Sequence, residues 1–170
     1  TDYGFDDNLW HNYLTFFLMM SENPFSMTCE KVGASEGSVN ALVENDFRIF
    51  KALFDYDFGP IERDLGINCF SQISNYKAIH KKDLMYNKNV SEKVRSLSKK
   101  LEAAKDEKEF FDAVTGFYKD YGVGMFGLNK AFRIDDTPQG SFTFRAINNM
   151  DTVMLDDLVG YEIQKKKLVD

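Results

Sequence analysis

The chain has 170 residues, 44% of them hydrophobic, with 16 Phe, 8 Tyr and 1 Trp; this is enough apolar material for one compact domain with an aromatic-rich core. With 3 Pro and 11 Gly, disorder throughout is excluded. A net charge of −6 argues against nucleic-acid or acidic-membrane binding by the whole surface. Charge is unevenly spread: residues 1–66 carry twelve acids and four bases, residues 77–105 nine bases and three acids. Cys29 and Cys69 form no CxxC pair, which fits free thiols in a reducing cytoplasm. The apolar run Tyr13–Met20 falls well short of the roughly 20 residues that cross a bilayer, so no membrane association is expected.

In chain order, Asp7 or Asn8 can cap a first helix running to about Glu22, apolar on nearly all faces at its far end and therefore expected to be buried. Asn23-Pro24 reads as an N-cap with Pro at the first helical position, opening a short helix stopped near Gly33. Ser35 and Ser38 are the next candidate caps. Val39, Leu42, Val43, Phe47, Phe50, Leu53 and Phe54 then repeat at helical spacing. Pro60 opens a short helix over Ile61–Leu65, stopped by Gly66. Between 67 and 90 the pattern weakens: Phe70, Ile73, Tyr76 and Ile79 recur near helical spacing, but Tyr86–Asn89 reads as a loop.

Ser91 is the expected cap of a helix carrying Val94, Leu97, Leu101 and Ala104. Asp106 with Glu109 resembles a capping box. It opens a helix whose apolar face is Phe110, Phe111, Val114, Phe117, Tyr118 and Tyr121, ended by Gly122. The short joint at Lys105–Asp106 implies an antiparallel helix pair. Lys130–Ile134 and Ser141–Ile147 alternate, and Asp135–Gly140 between them has strong turn chemistry, giving a β-hairpin with a linker at Asn148–Met150. The expected fold class is mainly α, about six helices with a small C-terminal β-hairpin. The expected division is a helical domain over 1–125, hairpin and linker over 126–150, and a separate element over 151–170.

Gly122-Val-Gly-Met-Phe-Gly127 matches GxGxxG. A dinucleotide site needs a strand before that loop and a helix after it. Here a helix precedes and a strand is expected to follow, so a glycine cap and tight turn is the reading. His11 and His80 lack neighbours at metal-ligand spacing. Asp6-Asp7 and Asp55-Tyr-Asp57 bring carboxylates together at helix ends, where capping is the simpler role than paired acid–base chemistry. The basic segment 77–105 is the best candidate for contact with nucleic acid, against the simpler reading of a solvated helix face balanced by acids.

The last segment, Leu155-Asp-Asp-Leu-Val-Gly160 followed by Glu162 and Lys165–Leu168, resembles the entry to an AAA+ ATPase module. Asn23-Pro-Phe-Ser, Phe54-Asp-Tyr-Asp-Phe58 and Tyr121–Phe132 are similar to the N-terminal region of a bacterial family of uncharacterised predicted AAA+ ATPases. The resemblance implies that Leu158, Val159, Gly160 and Tyr161 form one wall of an adenine pocket in a longer parent. It also implies a phosphate-binding loop, Gly-x-x-x-x-Gly-Lys-Ser/Thr, roughly twenty residues after Gly160, with the Mg²⁺ site, sensor residues and arginine finger beyond. The chain is therefore expected to stop between the segment that touches the base and the one that holds the phosphates. On that view it has no catalysis or cofactor of its own, and ATP and Mg belong to the parent. The implied role is that of a non-catalytic N-terminal domain. It would recruit a protein substrate or adaptor, or regulate its own AAA+ module, with homo-oligomerisation expected of the parent. The alternative is a nucleic-acid-associated helical module using residues 77–105. Apolar residues of the last segment, among them Leu155, Leu158, Val159, Ile163 and Leu168, are expected to stand away from the helical core.

Overall fold

The computed structural model describes residues 3–34, 38–78, 87–138, 140–147 and 159–169. In order these form α1 (Leu9–Met20), α2 (Pro24–Val32), α3 (Ser38–Phe54), α4 (Gly59–Leu65) and α5 (Cys69–Ser74). Then come α6 (Lys88–Ala103), α7 (Glu107–Tyr121), α8 (Gly124–Leu128), β1 (Phe132–Asp136), β2 (Phe142–Ala146) and α9 (Glu162–Val169). The fold is mainly α with a two-stranded antiparallel hairpin near the C-terminus. Ser35, His80, Lys81, Lys82, the linker Asn148–Met150 and Leu155–Leu158 lie outside the described residues.

Side-chain caps set the starts of α1, α2, α6 and α7. The Asn8 side chain accepts from His11 N at 3.1 Å and begins α1. Asn23 and Ser26 exchange side-chain and backbone bonds at 3.0 Å, a full capping box with Pro24 at the first turn. Asp106 accepts from Glu109 N at 2.8 Å, and Glu109 reaches back to Lys105 N at 2.9 Å rather than to the cap itself. α6 departs from expectation. Its cap is Asn87, which accepts from Val90 N at 3.1 Å, so Lys88 and Asn89 are helical and Ser91 lies buried inside the first turns. Both residue types cap well, but Asn87 is also held by Asn129 at the end of α8, which fixes the earlier start. α5 takes up Phe70 and Ile73 of the near-helical spacing but ends at Ser74, and α8, five residues long, is too short to show a helical period. α8 also crosses residue 125.

α7 lies at the centre, packed on α2, α3, α6 and α8, while α1 packs on α6, α3 and α8. The core joins Leu14, Leu18 and Met19 of α1, Cys29 of α2, and Phe47 and Phe54 of α3. It is completed by Val90, Val94, Leu97 and Leu101 of α6 and Phe110, Val114, Phe117 and Tyr118 of α7. Phe110 meets Phe54 and Phe47 edge-on at centroid distances of 5.5 and 6.3 Å, the preferred aromatic geometry. Leu42, expected on this face, is 76% exposed; the core stripe of α3 runs through Val43, Phe47, Phe50 and Phe54 instead. Among the described residues no helix is long and apolar enough to cross a membrane.

Candidate binding groove between α6 and α7

The capped joint at Ala104–Asp106 brings α7 back along α6, and their buried stripes face each other. The polar flanks then border a groove of about 460 Å³, open to solvent along one side. That volume is in the range of ligand and peptide sites. Leu97 and Phe117 are among its apolar lining residues. α6 contributes Glu92, Lys93 and Lys100; α7 contributes Asp112, Asp120 and Tyr121; Lys130, from the segment after α8, also lines it. Gly116 has no side chain to fill the open space on its side of α7, which leaves that wall low.

Lys93 is the residue that orders this site. Its Nζ donates to Gly127 O at 2.7 Å and lies 4.9 Å from the centre of the Tyr121 ring, so it closes the C-terminal end of α8 and stacks as a cation on the aromatic face. Burial, then the nearby Lys130 charge, holds its pKa below the ordinary lysine range. Charges of both signs thus line one trough around an apolar floor. This suits a polypeptide carrying both signs better than a uniform anion, whose approach Asp112, Asp120 and Glu92 would oppose.

The basic segment is divided by the fold. Lys93 and Lys100 line the α6/α7 groove, while Arg95 and Lys99 line a second groove with Asp7, Asn12 and Glu102. Arg95 lies 3.7 Å from Asp6, and Lys88 lies 3.8 Å from Glu92. Four of the described bases of this segment, Lys93, Arg95, Lys99 and Lys100, therefore border two troughs that also contain acids.

Val159, Gly160 and Tyr161 precede α9 on the surface. Val159 is 96% and Tyr161 71% exposed, and Gly160 and Tyr161 both adopt positive φ, +86° and +61°. Tyr161 O accepts from Lys165 N at 2.9 Å and starts the helix. None of the three lines the grooves described above. Leu158 lies outside the described residues.

The GxGxxG stretch ends one helix and turns into the next: α7 precedes it, α8 begins inside it at Gly124, and the strand β1 follows it, as expected. Gly122 at φ +85° ends α7, its N–H bonding Tyr118 O at 2.9 Å. Glu30 accepts from Val123 N at 3.2 Å, and the Glu22 carboxylate lies against Gly124. Two carboxylates thus lie against the turn between α7 and α8. The paired acids have structural partners too. Asp6 accepts from Ala78 N at 2.6 Å, Asp55 pairs with Lys51, and Asp57 accepts from Gly59 N at 2.8 Å. His11 stacks on Phe54 at 4.0 Å and its Nε2 meets Phe54 O at 2.7 Å, beside Trp10 Nε1 donating to Leu53 O at 2.8 Å. Two neighbouring rings of α1 therefore occupy carbonyls at the end of α3. Among the described residues no cluster of three or more His, Cys, Asp or Glu could hold a metal ion.

The groove-lining Asp112 and Asp120 carry no mark in the sequence, where Lys130 reads as the start of a strand and Tyr121 as part of the core face. The available signal was the spacing of Lys93 to Lys100 and of Asp112 to Asp120, each about two helical turns. Comparison with protein-family models, curated proteins and solved structures found no match.

Proposed function

We propose that this chain is a protein-binding helical domain without catalytic activity, the N-terminal region of an AAA+ ATPase, which recruits a protein substrate or adaptor or governs the ATPase module. The observation that carries the binding part is the α6/α7 groove, with charges of both signs around an apolar floor. Such a trough suits an amphipathic segment that supplies an apolar anchor and a charged flank. The ATPase part rests on the resemblance of Leu155–Leu168 and of the three upstream stretches to that family. In this reading Leu158–Tyr161 leads into the module, and ATP and Mg are bound by the parent.

The test is retention of proteins from the source cells on the immobilised chain, compared with a variant carrying Asp112→Lys and Asp120→Lys. Both aspartates are exposed, so the double change should leave the core intact. A specific protein held by the native chain and released by the variant is expected. Equal retention by both would count against the groove, and no retention above background would count against recruitment itself.

A further inference from the structure

Among the described residues, nothing pairs with the outer edge of the hairpin, and one of its faces is only partly covered. β1 and β2 pair antiparallel with Phe132 opposite Ala146, Arg133 opposite Arg145, Ile134 opposite Phe144, Asp135 opposite Thr143 and Asp136 opposite Phe142. One face therefore carries Phe132, Ile134, Phe142, Phe144 and Ala146, with Asp136 at its end, and the other carries the two arginines, Asp135 and Thr143. Phe126 of α8 covers part of the apolar face, with its ring 4.8 Å from Phe132 and 5.4 Å from Phe144. Ile134 and Phe142 remain 62% and 63% exposed. Among the described residues no third strand joins the sheet.

We propose that a second copy of this chain pairs along the free edge of β1, antiparallel and centred on Ile134, joining two hairpins into one four-stranded sheet. Two independent features select that partner and register. The first is backbone parity. Ile147 N donates to Ala131 O at 2.9 Å and Thr137 N to Ser141 O at 2.7 Å. Odd-numbered residues of β1 thus face β2, and Phe132, Ile134 and Asp136 turn their N–H and C=O groups to the free edge. A twofold axis at Ile134 sets Phe132 against Asp136 of the second copy and Ile134 against itself, so every outward-facing group meets another.

The second feature is charge. That same register sets Arg133 directly against Asp135 of the second copy, twice by symmetry, at the closely spaced positions of the ladder. Moving the axis to Arg133 opposes two arginines, and moving it to Asp135 opposes two aspartates; both are unfavourable. Within one chain Asp135 already binds Arg145, with Oδ2 to Nε at 2.7 Å, and Arg133 stands across the ladder from that arginine. A second Asp135 supplies the counter-charge at Arg133. The apolar faces of the two hairpins become continuous through the paired Ile134 side chains. Five-residue strands bury much less than the roughly 800 Å² per partner of a standard interface, so the dimer dissociates on dilution. The pairing is independent of the recruiting role proposed above.

Sedimentation velocity of the full chain across a concentration series tests this. Association rising with concentration is expected. Ile134→Pro should abolish it, because its N–H serves only the free edge and an edge strand tolerates proline there. Arg133→Asp should weaken it about tenfold or more by opposing two like-charged pairs. The amide resonance of Ile147, which closes the hairpin, checks that each variant keeps its strands paired. In a mixture of differently isotope-labelled native chains, an intermolecular Hα–Hα contact between Arg133 and Asp135 should appear. A chain that stays monomeric to millimolar concentration, a dimer indifferent to Ile134→Pro or to Arg133→Asp, or absence of that contact in the dimer would each overturn the proposal.

Discussion

Tyr118 is where a single residue most clearly ties sequence to stability. Its ring is buried in the core and its hydroxyl donates to Leu18 O at 2.8 Å, joining α7 to α1. Burial pushes the phenol pKa well above its ordinary value, with the nearby Cys29 thiol adding to the shift. The unfolded chain releases this proton at about pH 10, while the folded chain keeps it. The resulting stability is complete below about pH 10 and is lost as pH rises from there toward the folded pKa, at up to about 1.4 kcal/mol per pH unit. Tyr118→Phe should cost about 1 kcal/mol near neutrality through the lost hydrogen bond. It should also flatten the alkaline decline. Urea unfolding of both proteins from pH 8 to 11 measures both effects, and equal alkaline slopes would refute the assignment. The helical phase of α7 places Tyr118 on the buried face, but the identity of its acceptor depends on how α1 crosses, which no local pattern records.

At the scale of elements, the glycines around α7 make opposite predictions from one chemistry. A Cβ at Gly127 would collide with the backbone carbonyl of Gly122 across the turn, so Gly127→Ala should destabilise by about 1–3 kcal/mol. Gly116 lies within α7 with open space around its Cβ position. There Gly116→Ala should stabilise by about 0.5–1 kcal/mol, because alanine gives up less backbone entropy in a helix. Thermal melting of the two variants reads both signs, and the same sign for both would contradict the assigned packing. Long amphipathic helices and well-formed caps were legible: α1, α2 and α7 begin and end close to their signals, α3 follows its apolar repeat, and the hairpin lies where alternation and turn residues put it. What was not legible depended on tertiary contact. The start of α6 was fixed by Asn129, forty-two positions away. The groove was invisible for the same reason, since its two walls belong to different helices and their polar flanks gain meaning only once α6 and α7 are packed.

For the whole molecule, the groove and the free hairpin edge offer two kinds of contact from one helical body: a trough of mixed charge between α6 and α7, and an edge that pairs with its own copy. Val159 and Tyr161 stand exposed before α9. The proposed place of this chain ahead of an AAA+ module gives those apolar residues a destination, since the module would cover them around adenine. On that proposal the parent polypeptide would supply the phosphate-binding loop and turn over ATP, and residues 1–150 would deliver what the motor acts on. ATP hydrolysis by the parent polypeptide, measured beside that of the 170-residue chain, tests this most directly. The account predicts turnover by the parent that is lost when the lysine of a Gly-Lys-Ser/Thr loop beyond residue 170 is replaced, and none by the chain alone. Turnover by the chain itself, or a parent with no such loop and no hydrolysis, would contradict it.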